Sequence, residues 1–338
     1  VATSGSSGRP GVFAFDRIEW AHVLASFARA TEWGGLGAAL GRRRRIATVG
    51  TTRAWHMSVR AARTLPQRWV PSRRLDVADP LDDVVRRLNE WQPDLLVTYP
   101  SIAHVLVDEQ AAGRLRIRPA AIVTGAEVLT EGTRARIEAT WGRRLFDQYA
   151  ATETGGIASE CREHAGLHLY EDELIVEVVD EAGRPAAAGQ FGHRLLVTVL
   201  ASRTVPLIRY ELTDSVRLAA RPCTCGRPYR LIERIQGRSE ETLSLPARAG
   251  GSVAVHPVII HAVMDGVRVS AWQVVRRPDR IAVRLVGADD ALAGRVAEDL
   301  RAALLRVGAT EPLIEIERVG AIDRGASGKA ALITSSDR

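Results

Sequence analysis

The sequence predicts a two-domain α/β protein, with a large first domain built on a mixed sheet and a small α+β domain after it. Three observations predict this. The first half alternates short apolar runs with amphipathic helical stretches, the signature of strands joined by crossover helices. From about Leu167 the pattern turns β-rich, with Gly/Pro turns between short strands. After Gly237 a helix–strand–strand–helix–strand order fills a segment of about 100 residues, the size of a small domain. At 338 residues and 46% hydrophobic content, the chain suits about two domains and can bury a substantial core.

Taken in order, Asp16 opens a helix with a capping-box partner at Glu19 and apolar Ile18, Trp20, Val23, Leu24 and Phe27. Strands are predicted at Ile46–Val49, Leu95–Thr98, Ala121–Thr124 and Leu145–Tyr149. Between them, a helix over Pro80–Trp91 takes Asp79 as cap and Pro80 as first residue, and another over Glu131–Trp141 takes Thr130 as cap. The alternation implies parallel pairing, which places ligands beyond the carboxyl ends of the strands. Small polar clusters stand there: Tyr99-Pro100-Ser101, Gly125-Ala126-Glu127 and Thr152-Glu153. The β-rich part is read as strands Leu174–Val179, Leu195–Val199 and Leu207–Tyr210. The last domain is read as helix Pro257–Met264, a hairpin of Val269–Val275 and Ile281–Val286 turning at Pro278-Asp279, helix Ala291–Leu305 and strand Ile314–Val319. The domains are drawn at 1–237 and 238–338.

Composition excludes several classes of function. The net charge is +6, but the arginines are spread along helices beside acidic residues, and few aromatics interleave with them. The dense run, Arg42 to Arg45, leads into a strand and reads as a solvated loop, so no nucleic-acid partner is expected. No apolar run reaches the roughly 18 residues of a membrane span, and no signal peptide is expected from these residues. Three cysteines argue against a secreted disulfide framework and for the cytoplasm.

The cation usage is the sharpest compositional feature. Of 46 basic residues, Lys329 is the only lysine. A chain that turns Lys into Arg elsewhere keeps Lys where a compact ammonium on a flexible stem is needed. Lys329 follows Ser327-Gly328, a turn that would present it. At the other end, Thr3, Ser4, Gly5, Ser6, Ser7, Gly8 and Arg9 make a hydroxyl-rich, glycine-freed loop of the kind that cradles phosphate oxygens, though it is not a Walker loop.

These segments fall into a series. Thr3 to Pro10 resembles the phosphate loop of the adenylate-forming enzymes (acyl-CoA synthetases, adenylation domains and luciferases). Tyr149-Ala150-Ala151-Thr152-Glu153 is similar to their Tyr-Gly-x-Thr-Glu motif, and Tyr210 to Asp214 to their Tyr-x-x-x-Asp motif. Gly237-Arg238-Ser239-Glu240 resembles their hinge, and Ser327-Gly328-Lys329 their terminal lysine motif. Order and spacing agree. Within that superfamily the chain most resembles the phenylacetate–CoA ligases, through Gly125-Ala126-Glu127 with Thr130-Glu131, Glu160-Cys161, His168 with Glu171-Asp172, Pro206 to Tyr210 and Cys223 to Arg227.

The resemblance implies an ATP- and Mg²⁺-dependent ligase that converts a carboxylic acid, aromatic by preference, to an acyl-adenylate and passes the acyl group to CoA. It implies Lys329, Thr152 and Glu153 as catalytic, with Glu153 holding Mg²⁺. The phosphate loop, Gly125, Ala126, Glu127, Tyr149, Asp214 and Arg238 would bind ATP, and Glu240 would be the hinge of a mobile lid domain. A homodimer is left open. Cys161, Cys223 and Cys225 with His168, or less favourably His164, suit tetrahedral Zn²⁺ remote from catalysis.

Departures keep alternatives open. The chain opens at the phosphate loop without the segment family members carry before it. Arg9 stands for the usual lysine, Ala150 for glycine and Glu240 for Asp, and the loop Glu241 to Ser252 is long and contains Pro246. An adenylating enzyme with an amine or carrier-protein acceptor, and a non-catalytic nucleotide-binding remnant, are the alternatives.

Overall fold

A computed structural model describes residues 1–2, 11–35, 43–64, 67–77, 79–238, 243–255, 257–264, 267–322 and 332–335. The chain divides into two compact units, one of Val1–Leu129 and Arg134–Ile235, the other of Gln236–Arg338 with Thr130–Thr133.

The first unit begins with α1 (Arg17–Trp33), β1 (Ile46–Gly50), α2 (Met57–Thr64), β2 (Ser72–Asp76), α3 (Leu81–Trp91), β3 (Leu95–Thr98), α4 (Pro100–Ala111), β4 (Ala121–Gly125), α5 (Glu131–Trp141) and β5 (Leu145–Ala151). It continues through β6 (Gly155–Glu160), β7 (Leu167–Leu169), β8 (Leu174–Val179), β9 (Arg194–Val199), β10 (Tyr210–Leu212), β11 (Asp214–Leu218) and β12 (Leu231–Arg238). Nine strands form one sheet in the order β11-β12-β7-β6-β5-β4-β3-β1-β2. Pairing is parallel from β2 to β5 and antiparallel from β5 through β6 and β7 to β12, so the sheet is mixed. The parallel part packs apolar Leu96, Ile122 and Leu145 against Leu88 of α3, Leu106 of α4 and Ile137 of α5. A second core, with Leu169, Val176, Leu195, Val197 and Ile232, lies among the antiparallel strands and the separate sheet β10-β9-β8.

Local signals account for the ends of these elements. The Asp16 side chain accepts from the N–H groups of Ile18 and Glu19, and Glu19 accepts from the Asp16 N–H, the reciprocal arrangement of a capping box. The Thr130 hydroxyl accepts from the N–H of Thr133 at the start of α5. At α3 the expectation needs correcting: Pro80 is the cap and offers no side-chain hydrogen bond, while Asp79 accepts from Arg87 at 3.2 Å. The expected strand Leu207–Tyr210 is also displaced, to Tyr210–Leu212. Arg209 adopts a left-handed φ of 51°, which breaks the extended run that follows Pro206.

The second unit contains β13 (Leu243–Pro246), β14 (Ser252–Val255), α6 (Pro257–Met264), β15 (Ala271–Arg276), β16 (Ile281–Val286), α7 (Asp290–Arg306), β17 (Ile314–Arg318) and β18 (Ile333–Ser335). Four of these strands make a sheet in the order β17-β16-β15-β18, and its core holds Val274, Val283, Leu285, Val296, Leu300 and Leu304. The segment expected to be a long loop from Glu241 is instead, from Leu243 onward, the hairpin β13–β14. Its turn is closed by Ala247 N–H to Gly251 C=O, with Gly250 and Gly251 both at positive φ.

Candidate active site

The predicted polar clusters gather at the carboxyl ends of the parallel strands. At the end of β4, a Cβ on Gly125 would lie 2.7 Å from the Gln148 carbonyl oxygen, so only glycine fits beside β5. Ala126 follows with φ 69°, a left-handed conformation that costs a non-glycine residue about 1–3 kcal/mol. This turn swings Glu127 back toward α4, where its carboxylate accepts from the Ser101 N–H at 3.0 Å, a favourable place for negative charge at a helix N-terminus. Buried Tyr99, beside Ser101, accepts from the Thr51 N–H at 3.3 Å and so ties β3 to the end of β1. The sequence reading missed the neighbouring pair in which Thr52 donates its N–H, at 3.1 Å, and its hydroxyl to Asp76 at the end of β2.

The β5–β6 hairpin presents Thr152 and Glu153 at its tip, both half-buried. A register shift between Tyr149 and Ala150 re-aims the strand just before that tip. Two tyrosine–carboxylate pairs converge here. The Tyr149 hydroxyl donates to Asp214 Oδ2 at 2.8 Å, although Asp214 begins β11 at the far edge of the sheet, so the antiparallel strands curl back round the second core. The Tyr210 hydroxyl stands 3.5 Å from Glu153 Oε1, and the Tyr210 ring is braced edge-on by Phe13 at 6.2 Å. Burial and the Glu153 charge raise the Tyr210 pKa, so its hydroxyl stays protonated. Tyr149 is thus joined to Asp214 and Glu153 to Tyr210, with Thr152 next to Glu153 at the hairpin tip. Tyr210 stands beside Glu153, a site position that the sequence reading did not assign to it.

Beneath this surface lie buried acids whose long-range partners no sequence pattern revealed. Buried Asp147, two residues before Tyr149, accepts from the Thr124 hydroxyl at 2.7 Å. Burial, then the neighbouring Glu160 charge, pushes its carboxyl up to about 7. Glu160 accepts from the Asp147 N–H at 2.9 Å and from Arg134 at 2.5 Å. Near α1, Glu19 does more than cap a helix: it also accepts from the N–H and hydroxyl of Thr204 and the N–H of Arg203. Burial opposes ionisation of Glu19, but these hydrogen bonds outweigh it and hold the carboxyl at about 2.

A further expected group is also assembled. The ligand atoms of Cys161, His168, Cys223 and Cys225 all lie within 4.8 Å of one another, with His168 rather than His164 as the fourth member. Other predicted residues fall elsewhere. Arg238 ends β12. Thr3, Ser4, Gly5, Ser6, Ser7, Gly8, Arg9, Glu240 and Lys329 lie outside the described residues.

No family model matches the chain. Among curated proteins, it is 30% identical over 273 residues to the phenylacetate–coenzyme A ligase of Escherichia coli (strain K12), covering 72% of this chain and 55% of that one. It is 30% identical over 187 residues to the Thermus thermophilus enzyme of the same name, covering 53% and 41%. The chain thus spans about half the length of the curated relatives it matches. Among solved structures, 2-hydroxyisobutyryl-CoA ligase in the postadenylation state with 2-HIB-AMP matches with a TM-score of 0.77 at 20% identity, covering 100% of this chain and 73% of that one. ATP-bound MatB from Rhodopseudomonas palustris matches with 0.65 at 15% identity, covering 98% and 65%.

The chain has the fold of these CoA ligases. In sequence, over about half their length, it is similar to the phenylacetate–coenzyme A ligases. Among the described residues, no helix is long and apolar enough to cross a membrane.

Proposed function

We propose that this protein is an ATP-dependent carboxylate–CoA ligase of the phenylacetate type. In the first step the acid's carboxylate attacks the α-phosphorus of ATP, forming the acyl-adenylate and releasing pyrophosphate. In the second the CoA thiol attacks the acyl carbon, forming the thioester and releasing AMP. The observation that carries this reading is the convergence of Tyr149, Glu153, Tyr210 and Asp214 at one end of the sheet. Relationship to curated ligases supports it.

The residue roles follow from charge. Bringing a carboxylate to a phosphate joins two anions, so positive charge fixed at the reacting centre is the chief requirement. We assign that role to Lys329, with Thr152 donating to the α-phosphate. Asp214 keeps Oδ1 for the ribose hydroxyls, since Tyr149 occupies Oδ2, and we assign Arg238 to the same sugar. Gly125, Ala126 and Glu127 form the adenine wall, with the Glu127 carboxylate turned away toward Ser101. The loop from Thr3 to Arg9 receives the outer phosphates.

Glu153 fits Mg²⁺: it is a half-buried carboxylate whose Oε1, among the described residues, has only a long 3.5 Å contact from Tyr210, leaving lone pairs for a hard cation. Mg²⁺ bound there would neutralise phosphate charge. The Cys161, His168, Cys223 and Cys225 set is assigned to structural Zn²⁺. The second unit is assigned as a lid that turns about Glu240 and delivers Lys329. An aromatic acid is the expected substrate.

The test is pyrophosphate release from ATP and Mg²⁺ over a panel of aryl and fatty acids, with and without CoA. Release that depends on an aryl acid and is stimulated by CoA is expected. Release indifferent to CoA would assign another acceptor, and silence across the panel would overturn the reading.

A further inference from the structure

The Cys/His set is surrounded by an aromatic cluster that gives a bound ion a definite mechanical task. Cys161 directly follows β6, His168 lies in β7, and Cys223 and Cys225 lie between β11 and β12, where residues 219–230 form no helix or strand. Cys161 Sγ is 3.8 Å from Cys223 Sγ, and Cys225 Sγ is 3.3 Å from His168 Nε2. A tetrahedral zinc ion with bonds of about 2.3 Å to sulfur and about 2.0–2.1 Å to nitrogen spaces its ligands by roughly 3.8 Å and 3.6 Å. Two edges of the set therefore lie close to those of that tetrahedron, and all four ligand atoms lie within 4.8 Å of one another.

The end of α1 packs onto this set. Trp33 stands edge-on to His168 at 5.7 Å and stacks on Tyr229 at 5.6 Å. The Arg227 guanidinium lies 5.0 Å over the same ring. Arg227 and Tyr229 belong to the segment that carries Cys223 and Cys225, so whatever fixes those cysteines also fixes the seat of Trp33. Farther along the helix, the Ser26 hydroxyl accepts from the Gly156 N–H at 3.0 Å, on the strand next to the Glu153 tip. Glu19 holds Thr204 at the other end.

We infer that zinc on Cys161, His168, Cys223 and Cys225 is a staple that folds residues 219–230 around Trp33 and thereby seats the C-terminal end of α1 on the antiparallel strands. The inference rests on the zinc assignment made above, and it adds what the ion holds. Small segments without secondary structure of their own gain their order from such a metal, because binding free energy becomes folding free energy. Trp33, edge-on to the His168 ring, is a positioning residue, and losing a group that orients a metal ligand weakens metal binding by about 10–100-fold.

The experiment measures metal content and amide hydrogen exchange on the purified protein, before and after removal of zinc with a strong chelator. About one zinc per chain is expected, with exchange rising in 219–230 and in the last two turns of α1 on removal and falling again when Zn²⁺ is restored. Trp33→Leu should retain zinc but lose it to a competing chelator about 10-fold more readily. Cys223→Ser should lose it outright, and the chelator titration of the unmodified chain gives the same readings if that variant does not fold. Absence of zinc, or iron in its place, would overturn the metal assignment. Zinc present, with exchange at Trp33 unchanged by its removal, would overturn the staple alone. Neither readout depends on adenylation.

Discussion

Removing the Tyr149 hydroxyl should weaken nucleotide binding through Asp214 without disturbing the fold. The perturbation is Tyr149→Phe, which deletes one donor and keeps the ring. That donor lies 2.8 Å from a carboxylate oxygen, and a hydrogen bond to a charged group contributes about 1.5–3 kcal/mol. Asp214 is half-buried, so water replaces part of the loss, and the lower figure applies: about 1.5 kcal/mol, or roughly tenfold in affinity. The assay is calorimetric titration with a non-hydrolysable ATP analogue, run on Tyr149→Phe, Asp214→Asn and the double variant, with thermal melts as the control on folding. If Tyr149 acts by holding Asp214 for the ribose, the double variant should bind about as weakly as Asp214→Asn, a coupling of about 1–1.5 kcal/mol. Losses that simply multiply, or a Tyr149→Phe variant that binds like the parent, would refute the assignment.

Other consequences are equally direct. Glu19→Gln should lower Tm by about 5 °C at neutral pH, from roughly 2 kcal/mol of charge-assisted hydrogen bonding. Because the folded carboxyl is held at about 2, below its ordinary value, that contribution is complete above about pH 4.5. The difference between the two proteins should therefore shrink as pH falls from there toward 2. Asp147 has the opposite sign: its folded pKa is raised to about 7, so ionisation costs stability as pH rises from about 4 to 7. Asp147→Asn should remove that loss and raise stability at pH 8 by on the order of 2 kcal/mol, read by denaturant melts. Gly125→Ala should lower Tm and raise the KM for ATP, since its Cβ would force the Gln148 carbonyl to move. Lys329→Ala should abolish pyrophosphate release while ATP still binds, and Lys329→Arg should not restore it; unchanged release in either variant contradicts the role.

The parallel strands β1, β3, β4 and β5 were legible because they are short apolar runs, most fully so at Ala121–Thr124, where every residue is buried. β2 was not, because Ser72-Arg73-Arg74 reads as polar, and only Leu75 of this edge strand is buried. β6 was hidden for another reason: Gly155-Gly156 looks like a turn, yet all six residues of the strand are buried, and a Cβ at Gly156 would meet Ser26 and Tyr170 at 2.9 Å. The Cys/His set could be found because cysteine is scarce and all three fall within one stretch. The partners of the buried acids could not, since a hydrogen bond between Glu19 and Thr204 joins residues 185 apart and leaves no periodic trace. Tyr210 beside Glu153 belongs to the same class, a contact made by folding rather than by spacing.

The central claim is that a carboxylate attacks the α-phosphorus of ATP. It is tested most directly by supplying an aryl acid labelled with ¹⁸O in its carboxyl group, with ATP, Mg²⁺ and CoA, and weighing the products. The account predicts one ¹⁸O in AMP and none in pyrophosphate. Label in inorganic phosphate, with ADP as the nucleotide product, or AMP formed without label, would contradict it.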